Sequence, residues 1–277
     1  MVPNSTEGAT VPEVTEDASG LNPSVPHPAR RYNYWLGGKD NFAADRESGD
    51  AVVALFPSIR TAVIENRYFL RRAVSLLAGE LGITQFLDIG TGLPTADNTH
   101  EVAQRIAPES SVVYVDNDPL VMVHARALLN AAPGAGPTSY IEADVRSPEY
   151  ILQEAAKLLD FSRPIGLMMI AVLHFIADEE DPYGIVRRLI SALPSGSYLV
   201  LSHSTSDFLA PAAVQTFRTG AIPVYLRTHH DVVRFFDGLD VLEPGVVSIS
   251  DWRAEHESDP RPDASETATD CAVARIR

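Results

Sequence analysis

Only one cysteine, Cys271, occurs among the 277 residues, which excludes an internal disulfide and any multi-cysteine zinc or iron–sulfur site. No run of about 18 or more apolar residues is present, so a membrane-spanning helix is excluded. The first ten residues, MVPNSTEGAT, have neither the basic start nor the apolar centre of a secretory signal, and a cytoplasmic protein is expected. Basic charge is scarce as well: 22 Lys and Arg stand against 37 Asp and Glu, a formal net charge of −15. Holding a long nucleic-acid backbone needs a positive surface, so neither a nucleic-acid nor a membrane partner is expected. The oligomeric state is left open. What is present is an ordinary globular composition, 45% hydrophobic and 21% charged, in a chain long enough for a sizeable core.

The charge is unevenly spread. Residues 1–29 carry four acids, no Lys or Arg, and five prolines, a composition that cannot bury apolar surface and reads as a disordered leader. Residues 30–79 reverse the sign, with eight basic residues against five acidic, and 80–277 return to a strong acidic excess. A helical pattern fills 45–82. Ala51, Val52, Leu55 and Phe56 stop at Pro57, and Ile59, Val63, Ile64, Phe69, Leu70, Val74 and Leu77 then recur at helical spacing.

After residue 82, short apolar runs alternate with helical stretches. Strands are expected at 85–89, 112–116, 139–142, 165–171, 198–203, 241–247 and 271–276, and helices at 99–107, 119–131, 148–160, 182–193, 207–218 and 228–237. Asn98 with Glu101, Asp118 before Pro119, and Ser147 before Pro148 supply helix starts. This alternation implies an α/β fold with a doubly wound parallel sheet. The last two strands are joined by a polar loop, which makes them an antiparallel pair at one edge.

The most informative segment runs from Phe86 to Thr95, an apolar strand entering the turn Gly90-Thr91-Gly92. Glycines there let a ligand approach the backbone. The dinucleotide fingerprint would need glycine at 95, where Thr95 stands, so the pair alone is weak evidence. Two further carboxylates strengthen it. The second strand ends in Asp116-Asn117-Asp118, placed to accept two ribose hydroxyls, and the third in Glu142-Ala143-Asp144-Val145, placed to read an adenine edge. Asp88, at the end of the first strand, is placed to receive an ammonium group. Either Asp116 or Asp144 alone could simply cap the following helix; the three together point to a nucleoside ligand.

Here the sequence resembles the class I S-adenosylmethionine-dependent methyltransferases, and more narrowly a bacterial S-adenosyl methyltransferase family formerly catalogued as a domain of unknown function. The resemblance spans about residues 28–277. It is carried by Arg30 to Glu47 with its LGGKDNF block, Asn66-Arg67, Phe86 to Thr95, Tyr114 to Pro119, His124 to Leu129, and Ala171 to Phe175. It implies a seven-stranded sheet in the order 3-2-1-4-5-7-6 with strand seven antiparallel. It also implies S-adenosyl-L-methionine as cofactor: Gly90 and Gly92 against the methionine part, Asp116 on ribose, and Asp144 with Val145 on adenine. Thr91, Asn117, Ala171 and Asp88 complete the expected cofactor set. Residues 30–82 are then a helical lid region on a cofactor-binding core at 83–277, the two forming one unit. Pro94 stands where the wider superfamily has a third glycine.

Methyl transfer needs positioning and exclusion of water more than acid–base machinery. Tyr32, Tyr34, Trp35 and Phe42 around the Gly37-Gly38 hinge are expected to form a lid over cofactor and substrate, with Lys39 available to an acceptor carboxylate; a plain hydrophobic clasp is the alternative. His174 after strand four and His203 closing strand five are the candidate general bases, each weighed against a merely packed histidine. A metal site from His174, Asp178 and His203 is set aside. The leading function is methyl transfer to a small-molecule acceptor. The alternatives are a non-enzymatic sensor of S-adenosylmethionine or S-adenosylhomocysteine and an NAD-dependent dehydrogenase.

Overall fold

Phe86, Leu87 and Ile89 lie in a five-residue strand, β1 (Gln85–Ile89), that is buried along its whole length. A continuous apolar run of this kind suits a strand covered on both faces. In the computed structural model, which describes residues 21–128, 135–254 and 260–277, four more strands run parallel to it. They are β2 (Ser111–Asp116), β3 (Thr138–Glu142), β4 (Gly166–Ile170) and β5 (Tyr198–Ser204). The two short strands β6 (Asp240–Val241) and β7 (Val247–Ser248) precede β8 (Thr269–Arg275). The order is β3-β2-β1-β4-β5-β8-β6, with β7 also on β8, and β8 is antiparallel to all its neighbours.

This is the expected Rossmann-like methyltransferase order, with one difference. The single strand expected at 241–247 is two pieces, because Pro244 lacks an N–H and Gly245 sits at φ +95, so the chain turns out of the ladder between them. Leu242 still donates its N–H to Val273 (2.9 Å).

Side chains along the strands alternate between two cores. Leu87, Val113, Leu167 and Leu199 face Ile151, Ile185 and Leu189, whereas Phe86, Val112, Met168 and Val200 face Phe69, Leu70, Ala73 and Val102. These covering residues come from helices. α1 (Pro28–Trp35), α2 (Ala43–Leu55) and α3 (Ile59–Ser75) precede the sheet, and Leu76–Glu80 widens into a π-helical turn. α4 (Thr99–Ile106), α5 (Pro119–Leu128), α6 (Pro148–Ala155) and α7 (Pro182–Ser191) connect the parallel strands. α8 (Pro211–Thr219), α9 (His229–Val233) and the single turn α10 (Ala264–Thr267) complete the chain. No helix among the described residues is long and apolar enough to cross a membrane.

Several boundaries move. α6 ends at Ala155 rather than 160 and α8 starts at Pro211 rather than 207; residues 129–131, expected as helix, lie outside the described residues. Of the expected leader, 1–20 lies outside them too. Residues 21–29 are anchored to the body although 22–25 stay exposed: Leu21 joins Leu93, Leu120 and Phe42, and the Arg30 guanidinium donates to the carbonyls of Asn22 (3.2 Å) and Val25 (3.1 Å). Tyr32 to Trp35, expected in a hinged lid, are the last turn of α1.

Candidate active site

The carboxyl ends of β1, β2 and β3 open onto one cavity of about 630 Å³. At the end of β1, the N–H groups of Gly90 and Thr91 donate to Val115 O (2.8 and 3.2 Å), which folds the turn back against β2. Gly90 has φ +76, and a Cβ there would lie 2.6 Å from the Val172 side chain, so both handedness and space require glycine. Gly92 has φ +69, and its missing Cβ would point into open space.

The carboxylates around this turn are held by backbone. Asp116 accepts the N–H of Gly92 on Oδ2 (2.8 Å) and that of Asp118 on Oδ1 (2.9 Å); burial pushes its pKa up against those bonds. Asp88 is 4% exposed and accepts the Thr99 hydroxyl (2.6 Å). Burial raises it to about 6, although the Thr99 bond and the Arg67 charge pull the other way. Asp144 is more crowded. Its oxygens accept from the Arg146 N–H (2.9 Å), the Arg146 guanidinium (3.0 Å to each) and the Asn117 amide (2.9 Å). Partial burial raises its pKa, but those donors outweigh it and hold it below the ordinary value.

Asp88, Gly90, Thr91, Gly92, Asp116, Asn117, Asp144, Val145 and Ala171 all line the cavity, together with His174, Tyr32 and Trp35. Ala171 is held at φ +54 by two bonds from its N–H to Ser202, a strained geometry for alanine right at the end of β4. Tyr32 is fixed by its hydroxyl, which donates to Val63 O (3.0 Å) and accepts from the Asn66 amide (3.1 Å).

Four expected site residues do not reach the cavity wall. The Tyr34 hydroxyl donates outward to Asp50 (2.8 Å), because successive residues of α1 point in different directions. Phe42 packs on Leu93 and Leu120 with the Arg30 guanidinium 5.4 Å from its ring centre. Lys39 is exposed beyond the end of α1. His203 is fully buried behind the wall: its Nδ1 bonds Ser204 O (2.8 Å), and Arg227 Nη1 stands 2.7 Å from its Nε2. Both ring nitrogens are thereby occupied, and His203 is a packing and positioning group.

His174 is different. It lies on a short turn after β4, lines the cavity, and has Nδ1 3.5 Å from Ser204 Oγ with its ring edge-on to His203. Burial, then the positive charges of Arg31 and Arg227, lower its pKa to about 3, so the imidazole is neutral. Asp178 pairs with Arg227 (2.6 Å), and no cluster of three or more potential metal ligands occurs among the described residues.

Sequence reading missed a second wall. Val52 of α2, Phe56 just after it, and Ile59 and Val63 of α3 pack with Phe217 of α8, and all line the cavity together with Ile222. It also assigned no role to Arg31, Asn66, Arg67 or Arg146, which line the same space. Arg67 donates Nη2 to Ala96 O (3.0 Å) and Asp97 O (2.9 Å), and its charge acts on Asp88. The one available signal was the basic excess of 30–79, which contains both Arg31 and Arg67.

Comparison with known proteins places this geometry. The sequence model of the S-adenosyl methyltransferase family matches residues 14–277. The crystal structure of a DUF574 family protein from Streptomyces avermitilis is 45% identical, with 91% of this chain and 98% of that chain covered and a TM-score of 0.83. A candidate methyltransferase from Thermobifida fusca is 40% identical over 92% of this chain and 96% of its own, with a TM-score of 0.85. No curated protein matches the chain.

Proposed function

The chain belongs to the S-adenosyl methyltransferase family, and on that premise we propose that it transfers the methyl group of S-adenosyl-L-methionine to a small-molecule acceptor in the apolar half of the cavity. The observation that carries the reading is the convergence of Asp88, Asp116 and Asp144 from adjacent parallel strands onto one cavity edge, where open α/β sheets bind ligands.

The residues suit the cofactor. Each Asp116 oxygen uses one lone pair on a backbone N–H and keeps another for a ribose hydroxyl. The space at Gly92 admits a ligand where any side chain would fill it. Asp88 offers a carboxylate to an ammonium while Arg67 brings positive charge beside it, the two signs that an amino-acid end requires. Thr95 Oγ1 is buried without a hydrogen-bond partner and also lines the cavity. At Asp144, Asn117 or Arg146 must shift before an adenine amine can bond, so those two side chains share the nucleoside wall with Val145.

When bound, the cofactor supplies an electrophilic methyl on a cationic sulfur together with its own leaving group. The protein's work is then to orient and to exclude water. Trp35 and Tyr32 supply aromatic faces suited to a soft cation, and Val63, Phe56 and Phe217 keep the acceptor side dry. His174, neutral and facing the cavity, is the group available to receive an acceptor proton.

Calorimetry tests the reading. S-adenosylmethionine and S-adenosylhomocysteine should bind and NAD should not, with Asp116→Ala weakening S-adenosylhomocysteine about tenfold or more. NAD binding alone would return the dehydrogenase reading. Binding without labelling of any component of a metabolite extract would favour a sensor.

A further inference from the structure

Arg31 is a buried guanidinium with no ion-pair partner among the described residues. It projects from α1 with 4% of its surface exposed, and it lines the cavity. Its Nη1 donates to the Ser48 hydroxyl (3.3 Å), its Cζ lies 5.0 Å from the Trp35 ring centre, and among the described residues its buried Nε has no hydrogen-bond partner. Burial lowers its pKa to about 10, a shift that the charge of Asp45 opposes without cancelling. The Asp45 oxygens are already engaged by the N–H groups of His27 and Phe42 (2.8 Å each), with Arg30 3.8 Å away.

Arg30 and Arg227 also bury an Nε without a hydrogen bond, but each of them has a carboxylate beside its guanidinium, and that is what Arg31 lacks among the described residues. Arg30 pairs with Asp118 (3.1 Å) and donates to the carbonyls of Asn22 and Val25. Arg227, the other guanidinium acting on His174, is tied to Asp178, to the carbonyls of Leu173 and Ile176, and to His203. Burying a charge is costly unless it is paired, so a cavity-lining guanidinium with no carboxylate beside it among the described residues is poised for an anionic ligand. A guanidinium engages a carboxylate bidentately through two parallel N–H donors.

We propose that the methyl acceptor is a small molecule carrying a carboxylate on an apolar body, and that Arg31 binds the carboxylate. This rests on the methyltransferase reading above and names the substrate class of that site. The body of the acceptor packs on Trp35, Phe56, Val63, Phe217 and Ile222. Arg67 stands beside Asp88 at the cofactor end, whereas Arg31 acts on His174, so the two arginines serve different parts of the cavity. A carboxylate on Arg31 also offsets one of the two positive charges that depress His174, which makes the imidazole a better proton acceptor once the acceptor is in place.

The test uses the full chain saturated with S-adenosylhomocysteine and titrated with phenylacetate, 3-phenylpropionate and octanoate, each against its primary amide. The acids should bind about tenfold or more tightly than the amides. Arg31→Met should bring the acids down to the amide level and leave S-adenosylhomocysteine affinity unchanged, and Arg31→Lys should keep part of the preference. The proposal falls if acids and amides bind alike, or if no acid binds at about 10 mM. It also falls if Arg31→Met weakens S-adenosylhomocysteine and spares the acids, since the guanidinium would then serve the cofactor's own carboxylate. The wild-type comparison of acid with amide stands even if a variant fails to fold. Failure of the wild type to bind S-adenosylhomocysteine, measured first, sinks the methyltransferase reading instead.

Discussion

Asp88 sits where a free protein holds charge at a cost. Its pKa is raised to about 6 by burial, so the folded state favours the protonated form. The stability this group contributes is complete below about pH 4, the unfolded carboxylate range, and is lost as pH rises through 6; the shift corresponds to about 3 kcal/mol. Asp88→Asn keeps an acceptor for the Thr99 hydroxyl and removes the charge. Urea unfolding of the ligand-free protein should therefore show the variant more stable than wild type at pH 8, with the gain vanishing near pH 4. Calorimetry should show the opposite for ligand, with S-adenosylhomocysteine about tenfold weaker or more at pH 8, because an ammonium has lost its partner. A variant no more stable than wild type at pH 8 would show that Asp88 is already compensated. Glycine gives a second contrast at this scale. Gly92→Ala forces alanine to φ +69 with room for its methyl, costing about 1–2 kcal/mol, while the methyl enters the ligand's space. Gly90→Ala adds a collision with Val172 and should destabilise clearly more, which thermal melting of the pair will reveal.

At the scale of elements, α1 is the piece whose placement decides whether there is an acceptor half at all. His27 caps it; His27 Nδ1 lies 3.0 Å and Arg30 Nε 3.1 Å from Asp118 Oδ2, at the start of α5. This buried cluster ties α1, which carries Arg31, Tyr32 and Trp35, to the far side of the cofactor wall. Removing one partner of a buried pair leaves the other uncompensated, so Asp118→Ala should cost about 3 kcal/mol or more. Hydrogen exchange should rise in 21–36 while β1 and β4 stay protected; a uniform rise would deny the helix its separate anchoring. The same element shows why the sequence was only half legible. Phe86 to Gly92, Asp116 and Asp144 announce themselves locally, as apolar runs ending in glycine or acid; the parallel sheet followed from the alternation of elements, and the strand order from the family resemblance. The acceptor wall has no local signature, since Phe56, Ile59 and Phe217 meet only through tertiary packing. Tyr34 and Phe42 were grouped with Trp35 because they are near in sequence, but on a helix and the loop after it nearness in sequence does not mean a shared face. The split of the sixth strand was written in Pro244-Gly245, whose effect depends on where β8 offers its partners.

For the whole molecule, the cavity is bounded at once by the N-terminal helices and by the sheet edge, so a ligand bridges parts that lie far apart in the chain. Phe69, Leu70, Ala73 and Val74 of α3 belong to the same core as Phe86 and Met168 of the sheet, which makes independent unfolding of the 30–82 region expensive. Scanning calorimetry should therefore show one transition, not two, in the ligand-free protein. A ligand that binds only the folded state adds about 2.7 kcal/mol at a hundred times its dissociation constant. For a domain of this size that corresponds to a shift of roughly 5–10 °C. S-adenosylhomocysteine should move the entire transition by that amount, and NAD at the same concentration should leave it in place. If ligand instead splits the transition, holding the sheet while the first three helices melt at their original temperature, then α1 to α3 form a separately folding cap. The acceptor wall would in that case assemble only in the closed state.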